Sequence, residues 1–129
     1  MFIFMFASFI ILHGLVHLLY VGQSQRLFEL RPGMTWPDDS WAFSRLFGDR
    51  VTRGLTSITF ILVAIGFVSG GIGLIFNHPW WHPFVVGAAA VSSVMIILLW
   101  DGKPHKLDNQ GGVGLLINLA LLALLLIVG

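Results

Sequence analysis

Four long, uncharged apolar runs govern what this chain can fold into. They cover residues 2–21, 55–76, 84–100 and 113–128. A transmembrane helix needs about 20 predominantly apolar residues, within a range of about 17–25. The first two runs meet that requirement outright. The neutral flanks Pro83 and Gly111-Gly112 extend the other two. Each run is too long for a buried strand. Composition agrees: 57% of the 129 residues are hydrophobic and 10% charged, with a mean hydropathy of +0.90. A soluble domain carries roughly 25% charged residues. The expected fold is all-α, an integral membrane four-helix transmembrane bundle. Residues 1–129 form one transmembrane domain, with helices at about 2–21, 53–76, 83–100 and 112–128. The first run lacks the basic n-region of a signal peptide, and it exceeds the usual apolar stretch of about 7–15 residues. It reads as a retained helix.

Several function classes fall away. The absence of cysteine removes disulfides, thiol redox relays, thiolate metal sites and cysteine nucleophiles. A net charge of +1, without a basic patch interleaved with aromatics, gives no support for nucleic acid as a partner. No Asp or Glu lies inside a run, which argues against a carboxylate-driven ion transporter. No Gly-rich phosphate loop and no Ser/His/Asp triad is placed by the pattern. Whether the chain is an enzyme is left open.

Basic residues set the orientation. Arg26, Arg31, Arg45, Arg50 and Arg53 lie in or beside the first loop, and Lys103 and Lys106 in the third. The N-terminal tail, the second loop and the C-terminus carry no Lys or Arg. The positive-inside rule then predicts a multi-pass cell-membrane protein with loops 22–51 and 101–111 cytoplasmic and both termini outside. The first loop is long for a compact bundle, so it is expected to have structure or function of its own. Trp36-Pro37-Asp38-Asp39-Ser40 reads as a turn leading to a helix cap. Trp41, Phe43, Leu46 and Phe47, interspersed with Ser44 and Arg45, predict a short amphipathic helix at the cytoplasmic interface. It would serve as an anchor or as a lid over a cavity.

Chemistry points to the first run. Its Leu12-His13-Gly14-Leu15-Val16-His17 segment places two histidines four residues apart, on one helix face. Ionisable groups within a span are costly and are a functional hypothesis by default. At about 1.5 Å per residue, His17 lies about 6 Å and His13 about 12 Å from the cytoplasmic end of the helix. Thr56, Ser57 and Thr59 fall at about 5–12 Å in the second helix, Ser92 and Ser93 at about 10–12 Å in the third, and Asn118 at about 8–10 Å in the fourth. This shared level predicts a polar pocket opening towards the cytoplasm. The candidate ligand-binding set is His13, His17, Asn118, Ser92, Ser93, Thr56 and Asp101. Three readings of the histidines stand. They are neutral side chains bonded across helix interfaces, a binding or proton-transfer pair, or a metal pair. Histidines at i and i+4 can share one ion, but here the intervening residues supply no Glu base. A third ligand would come from Asp101, His105 or Asp108, so the metal candidates are His13, His17 and His105. Two residues four apart on one helix cannot ligate opposite faces of a haem iron, which argues against haem.

Packing signals accompany this set. Gly66 and Gly70 form a small-xxx-small step, echoed by Ala88, Ala89, Ser92 and Ser93, and Gly111, Gly114 and Asn118 share a face. They predict close helix contacts and leave room for a homo-oligomer or a larger membrane complex. His78-Pro79-Trp80-Trp81-His82-Pro83 reads as an interfacial aromatic belt leading into a Pro-started helix.

The layout resembles the DoxX-like small prokaryotic membrane proteins. The stretch that carries the likeness is Leu12-His13-Gly14-Leu15-Val16-His17-Leu18, where His17 stands in place of the family's basic residue. The resemblance implies a role associated with membrane redox or quinones. Two functions are expected from these readings. One is a membrane protein whose polar pocket binds a hydrophobic small molecule, a quinone or a lipid, as an accessory subunit of a redox system. The other is a non-enzymatic oligomeric assembly or transport component with structural histidines.

Overall fold

The computed structural model describes residues 2–29, 35–38, 40–100 and 112–128. Its helices are α1 (Phe2–Ser24), α2 (Ser44–Ile75), α3 (Trp81–Leu99) and α4 (Gly112–Val128). Consecutive helices run antiparallel. Gly14 of α1 meets Phe67 and Ala64 of α2, while Gly71 of α2 meets Ala7 and Ile11 of α1. At the next interface Gly70 meets Trp81 and Val85 of α3, and Gly66 meets Ala88. α4 packs against α3 less extensively. The ends of α1 and α3 and the starts of α2 and α4 therefore share one end of the bundle. The described arginines Arg26, Arg45, Arg50 and Arg53 lie there, and it is called the basic end below.

Small residues bring the helices together. A Cβ added at Gly14 would lie 2.5 Å from the Cβ of Phe67 and 3.3 Å from the carbonyl oxygen of Ala64. One added at Gly70 would lie 2.5 Å from Val85 and 3.3 Å from the carbonyl oxygen of Trp81. Without a hydrophobic drive between helices in lipid, such backbone approach is what lets them pack. The small-residue step read at Gly66 and Gly70 thus faces α3.

Exposure is inverted relative to a water-soluble domain. Ile58, Leu62, Ile65, Val94, Leu116 and Leu126 point outward, whereas His17, Thr52, Thr56, Ser92 and Asn118 have no exposed surface. α1, α2 and α3 are each long and apolar enough to cross a membrane. α4 has 17 residues, about 25 Å at the usual rise, which is short of a hydrocarbon core of about 30 Å.

Helix bounds differ from expectation at both ends of the first loop. α1 continues through Ser24, and α2 begins at Ser44. Hydropathy marks a span and not the polar turns that extend a helix beyond it. α1 and α2 close with the same device. Leu27 N–H donates to Gly22 O (2.9 Å) and Arg26 N–H to Gln23 O (3.1 Å). Likewise His78 N–H donates to Gly73 O (2.8 Å) and Asn77 N–H to Leu74 O (3.1 Å). These are Schellman closures, with Arg26 (φ 60°) and Asn77 (φ 58°) in the left-handed position. Asn tolerates it readily; Arg26 is held there by the loop contacts described next.

The short amphipathic helix expected from Trp41 to Phe47 is helical only in its second half. Residues 41–43 form a turn, and the helical residues from Ser44 belong to α2, interrupted by a kink at Gly48 (φ 82°, ψ 163°). The expected turn before it becomes a strap across the basic end. Trp36 is 2% exposed and packs on Tyr20 and Phe60, with ring centroids 5.5 and 6.1 Å away. Arg26 donates to Thr35 O (2.7 Å) and Trp36 O (2.9 Å), and Gln23 donates to Trp36 O (3.2 Å). Asp38 accepts ion pairs from Arg26 (2.8 Å) and Arg53 (3.1 Å). The strap then caps α3. Ser40 Oγ donates to Leu98 O (2.5 Å), Trp41 Nε1 to Ile97 O (2.7 Å) and Trp41 N–H to Trp100 O (2.9 Å). Carbonyls at a helix end have no partner within the helix, and here the strap supplies them.

Candidate functional site

The level where the sequence concentrates polar groups contains one continuous hydrogen-bonded circuit. His13 Nε2 lies 2.7 Å from Asn118 Oδ1, and Asn118 Nδ2 donates to Ser92 Oγ at 2.8 Å. Ser92 Oγ lies 2.7 Å from His17 Nε2, and His17 Nδ1 lies 2.9 Å from His13 O. A carbonyl oxygen only accepts, so the His17 proton sits on Nδ1 and its Nε2 accepts from the Ser92 hydroxyl. An amide oxygen also only accepts, so His13 carries its proton on Nε2. The circuit runs in one direction: His13 to Asn118 to Ser92 to His17 and back to the His13 carbonyl. It is satisfied with both histidines neutral.

Local structure explains the placement. The i, i+4 spacing puts both imidazoles on the flank of α1 that faces α3 and α4. Gly14, one residue after His13, turns towards α2 and lets that helix approach. Phe67 and Phe60 of α2 form the wall. The Phe67 ring lies 4.9 Å from His13 and 5.3 Å from His17, and Phe60 lies 5.6 Å from His17. Tyr20 stands edge-on to His17 at 5.5 Å, beneath Trp36. His17, Ser92 and Asn118 are wholly buried and His13 is 6% exposed, so three of the four are closed to solvent.

The remaining candidates part company with this circuit. Thr56 Oγ1 donates to Thr52 O (2.8 Å) and Ser93 Oγ to Ala89 O (2.7 Å), each within its own helix. Short hydroxyl side chains reach the carbonyl one turn back, and that local bond competes with any contact across helices. Ser57 joins a second cluster at the basic end, with Ser24 Oγ at 2.7 Å and Gln25 donating at 2.5 Å. Asp101, His105 and Asp108 lie outside the described residues. Among the described residues no group of three His, Asp or Glu side chains is placed to hold a metal. His82 Nε2 donates to Leu125 O at 3.0 Å, tying α3 to α4 at the far end.

Sequence reasoning missed Trp36, Ser40 and Asp38. Asp38 left one signal, being one of four acids in the same loop as four arginines. Ser40 left the cap signal, and its Oγ accepts from Phe43 N–H (3.2 Å), but its bond to Leu98 O and the carbonyl bonds at Trp36 carry no residue-type signature. The apolar grooves lined by described residues lie on the outer surface. One, of about 250 Å³, lies between α1 and α2 beside Leu18, Ile61 and Val68; another, of about 260 Å³, lies between α2 and α3 beside Gly66, Phe84 and Gly87. No protein-family profile, curated protein or solved structure matches the chain.

Proposed function

We propose that this chain is a multi-pass membrane protein whose buried histidines are structural, and that it works as a non-enzymatic component of a membrane assembly. The inverted exposure and the three long apolar helices support membrane insertion. In this reading α4 completes a four-helix bundle, the basic end lies in the cytoplasm and both termini lie outside, in line with the positive-inside rule. The kinked start of α2 then lies at the cytoplasmic interface. The observation that carries the structural role is the closed circuit. Every proton of His13 Nε2, Asn118 Nδ2, Ser92 Oγ and His17 Nδ1 that lies on it has an acceptor inside the protein. α1, α3 and α4 are thereby tied at one level, where lipid offers no partner for a polar group.

A second reading, a hydrophobic ligand such as a quinone or lipid with the DoxX-like likeness behind it, has one observation in its favour. His13 Nδ1 stands outside the circuit, and the Phe9 ring stacked on His13 at 6.2 Å is half exposed on the outer surface. Native mass spectrometry with ultraviolet-visible and metal analysis of detergent-purified wild type and H13A/H17A separates the two. The structural reading expects no bound species to be lost and a lower unfolding temperature in the variant. A quinone, lipid or metal carried by the wild type and lost by the variant would overturn it.

A further inference from the structure

The arginines of the basic end fall into two kinds. Arg26 and Arg53 share Asp38 and hold the strap. Arg45 and Arg50 are exposed and form no ion pair among the described residues. Asp49, between them, is half-buried and engaged in a contact of its own. Gly48 lies between the two arginines at φ 82°, with nothing within 4 Å of where a side chain would begin. This elbow turns residues 44–47 away from the axis of α2. Leu46 and Phe47 on its near side are 74% and 53% exposed. On its far side the outward stripe of α2 begins at Val51 and continues through Ile58, Leu62 and Ile65. Arg50 directly precedes the first residue of that stripe. Two cations without an ion-pair partner among the described residues thus flank an exposed apolar pair at the level where the lipid-facing surface begins.

We infer that the Gly48 elbow binds the anionic headgroups of glycerophospholipids in the surrounding leaflet, with Arg45 and Arg50 on the phosphates and Leu46 and Phe47 among the upper acyl chains. The inference rests on the membrane reading above. Charge complementarity selects the occupant: an acidic headgroup supplies the counter-charge that no described residue gives these two arginines and that Asp38 gives the other two. Arginine suits the task because its planar fork pairs with phosphate oxygens through two hydrogen bonds. Long side chains at a helix end reach the headgroup level while their stems stay on apolar surface.

The test reconstitutes the full chain into vesicles of phosphatidylcholine alone and of equal phosphatidylcholine and phosphatidylglycerol. Flotation reads insertion, and native mass spectrometry of protein released from the mixed vesicles reads the retained lipid. Wild type is expected to retain phosphatidylglycerol over phosphatidylcholine by up to about 25-fold, from about fivefold per arginine at the surface. R45Q/R50Q should bring the ratio close to one with flotation unchanged. K103Q/K106Q, which removes the same charge from the other basic loop, should keep most of the preference. Protein that floats with both vesicles but shows no preference overturns this inference alone. An equal loss from K103Q/K106Q also overturns it, because the preference then belongs to net charge and not to the elbow. Protein that floats with neither vesicle overturns the membrane reading, and this inference with it.

Discussion

The mid-bundle circuit and the strap at the basic end both join α1 to other parts of the fold through polar groups, and they do so in opposite ways. The circuit is uncharged, closed on itself and without solvent contact at three of its four side chains. The strap uses full charges, with side chains 20–35% exposed; it donates to main-chain carbonyls of α3 and offers its own carbonyls to Arg26 and Gln23. Buried polar atoms without a hydrogen-bond partner gather at the strap and not at the circuit. Among the described residues Trp36 Nε1, Ser44 Oγ, Asp38 Oδ1 and Arg53 Nε lack one, the last two facing each other as an ion pair, and all lie in or beside the strap. The difference follows from surroundings. In an apolar interior an ion pair costs more in desolvation than it returns, so neutral and mutually satisfied groups persist there. Near water, charges keep part of their hydration and incomplete pairing is tolerated.

Four substitutions test that contrast, in order of expected effect. Trp36→Ala removes the largest apolar contribution of the strap. It should cost about 3 kcal/mol or more, as for a buried tryptophan elsewhere, read as a lower midpoint of unfolding in mixed detergent. A loss no larger than that of an exposed tryptophan, such as Trp80→Ala, would show that the strap does not hold the basic end. Gly14→Ala forces α1 and α2 apart beside the histidines and should cost about 1–3 kcal/mol. If it instead stabilised the bundle, the close approach at Phe67 would be wrong. Asn118→Leu removes two bonds of the circuit. Hydrogen bonds between membrane helices average about 0.6 kcal/mol, so a loss of about 1 kcal/mol is expected, unchanged between low and high salt. Asp38→Asn should cost less than about 1 kcal/mol at low ionic strength, and the cost should shrink towards zero near 1 M salt. Equal salt responses from Asn118→Leu and Asp38→Asn would erase the distinction between the two regions.

Much of the helical layout was legible in the chain, and for a simple reason. An uncharged run of this length has few ways to satisfy its backbone other than as a helix. Helical rise alone also put His13, His17, Ser92 and Asn118 at one level, and these are the side chains that meet. The same arithmetic could not separate them from Thr56 and Ser93, since depth says nothing of rotation or of a hydroxyl turned back onto its own helix. His13, His17, Ser92 and Asn118, read as lining a pocket, bond to one another. The strap reads from sequence only as a turn leading into an interfacial helix, which the amphipathic spacing of Trp41, Phe43, Leu46 and Phe47 suggests. Its actual anchors are bonds to the carbonyls of Ile97, Leu98 and Trp100, and a carbonyl acceptor carries no residue-type signature. The helical half of that pattern ends at Gly48, whose kink sets residues 44–47 off from the rest of α2.

The one-way order of the circuit has a kinetic side. His17 Nδ1 is bound to a main-chain carbonyl that cannot exchange roles, so the proton order cannot reverse while α1 remains folded. With His17, Ser92 and Asn118 closed to solvent, their protons trade with bulk water only when helices part. Their isotopic lifetimes are therefore a clock for the opening of the bundle itself, free of the faster fraying at its ends.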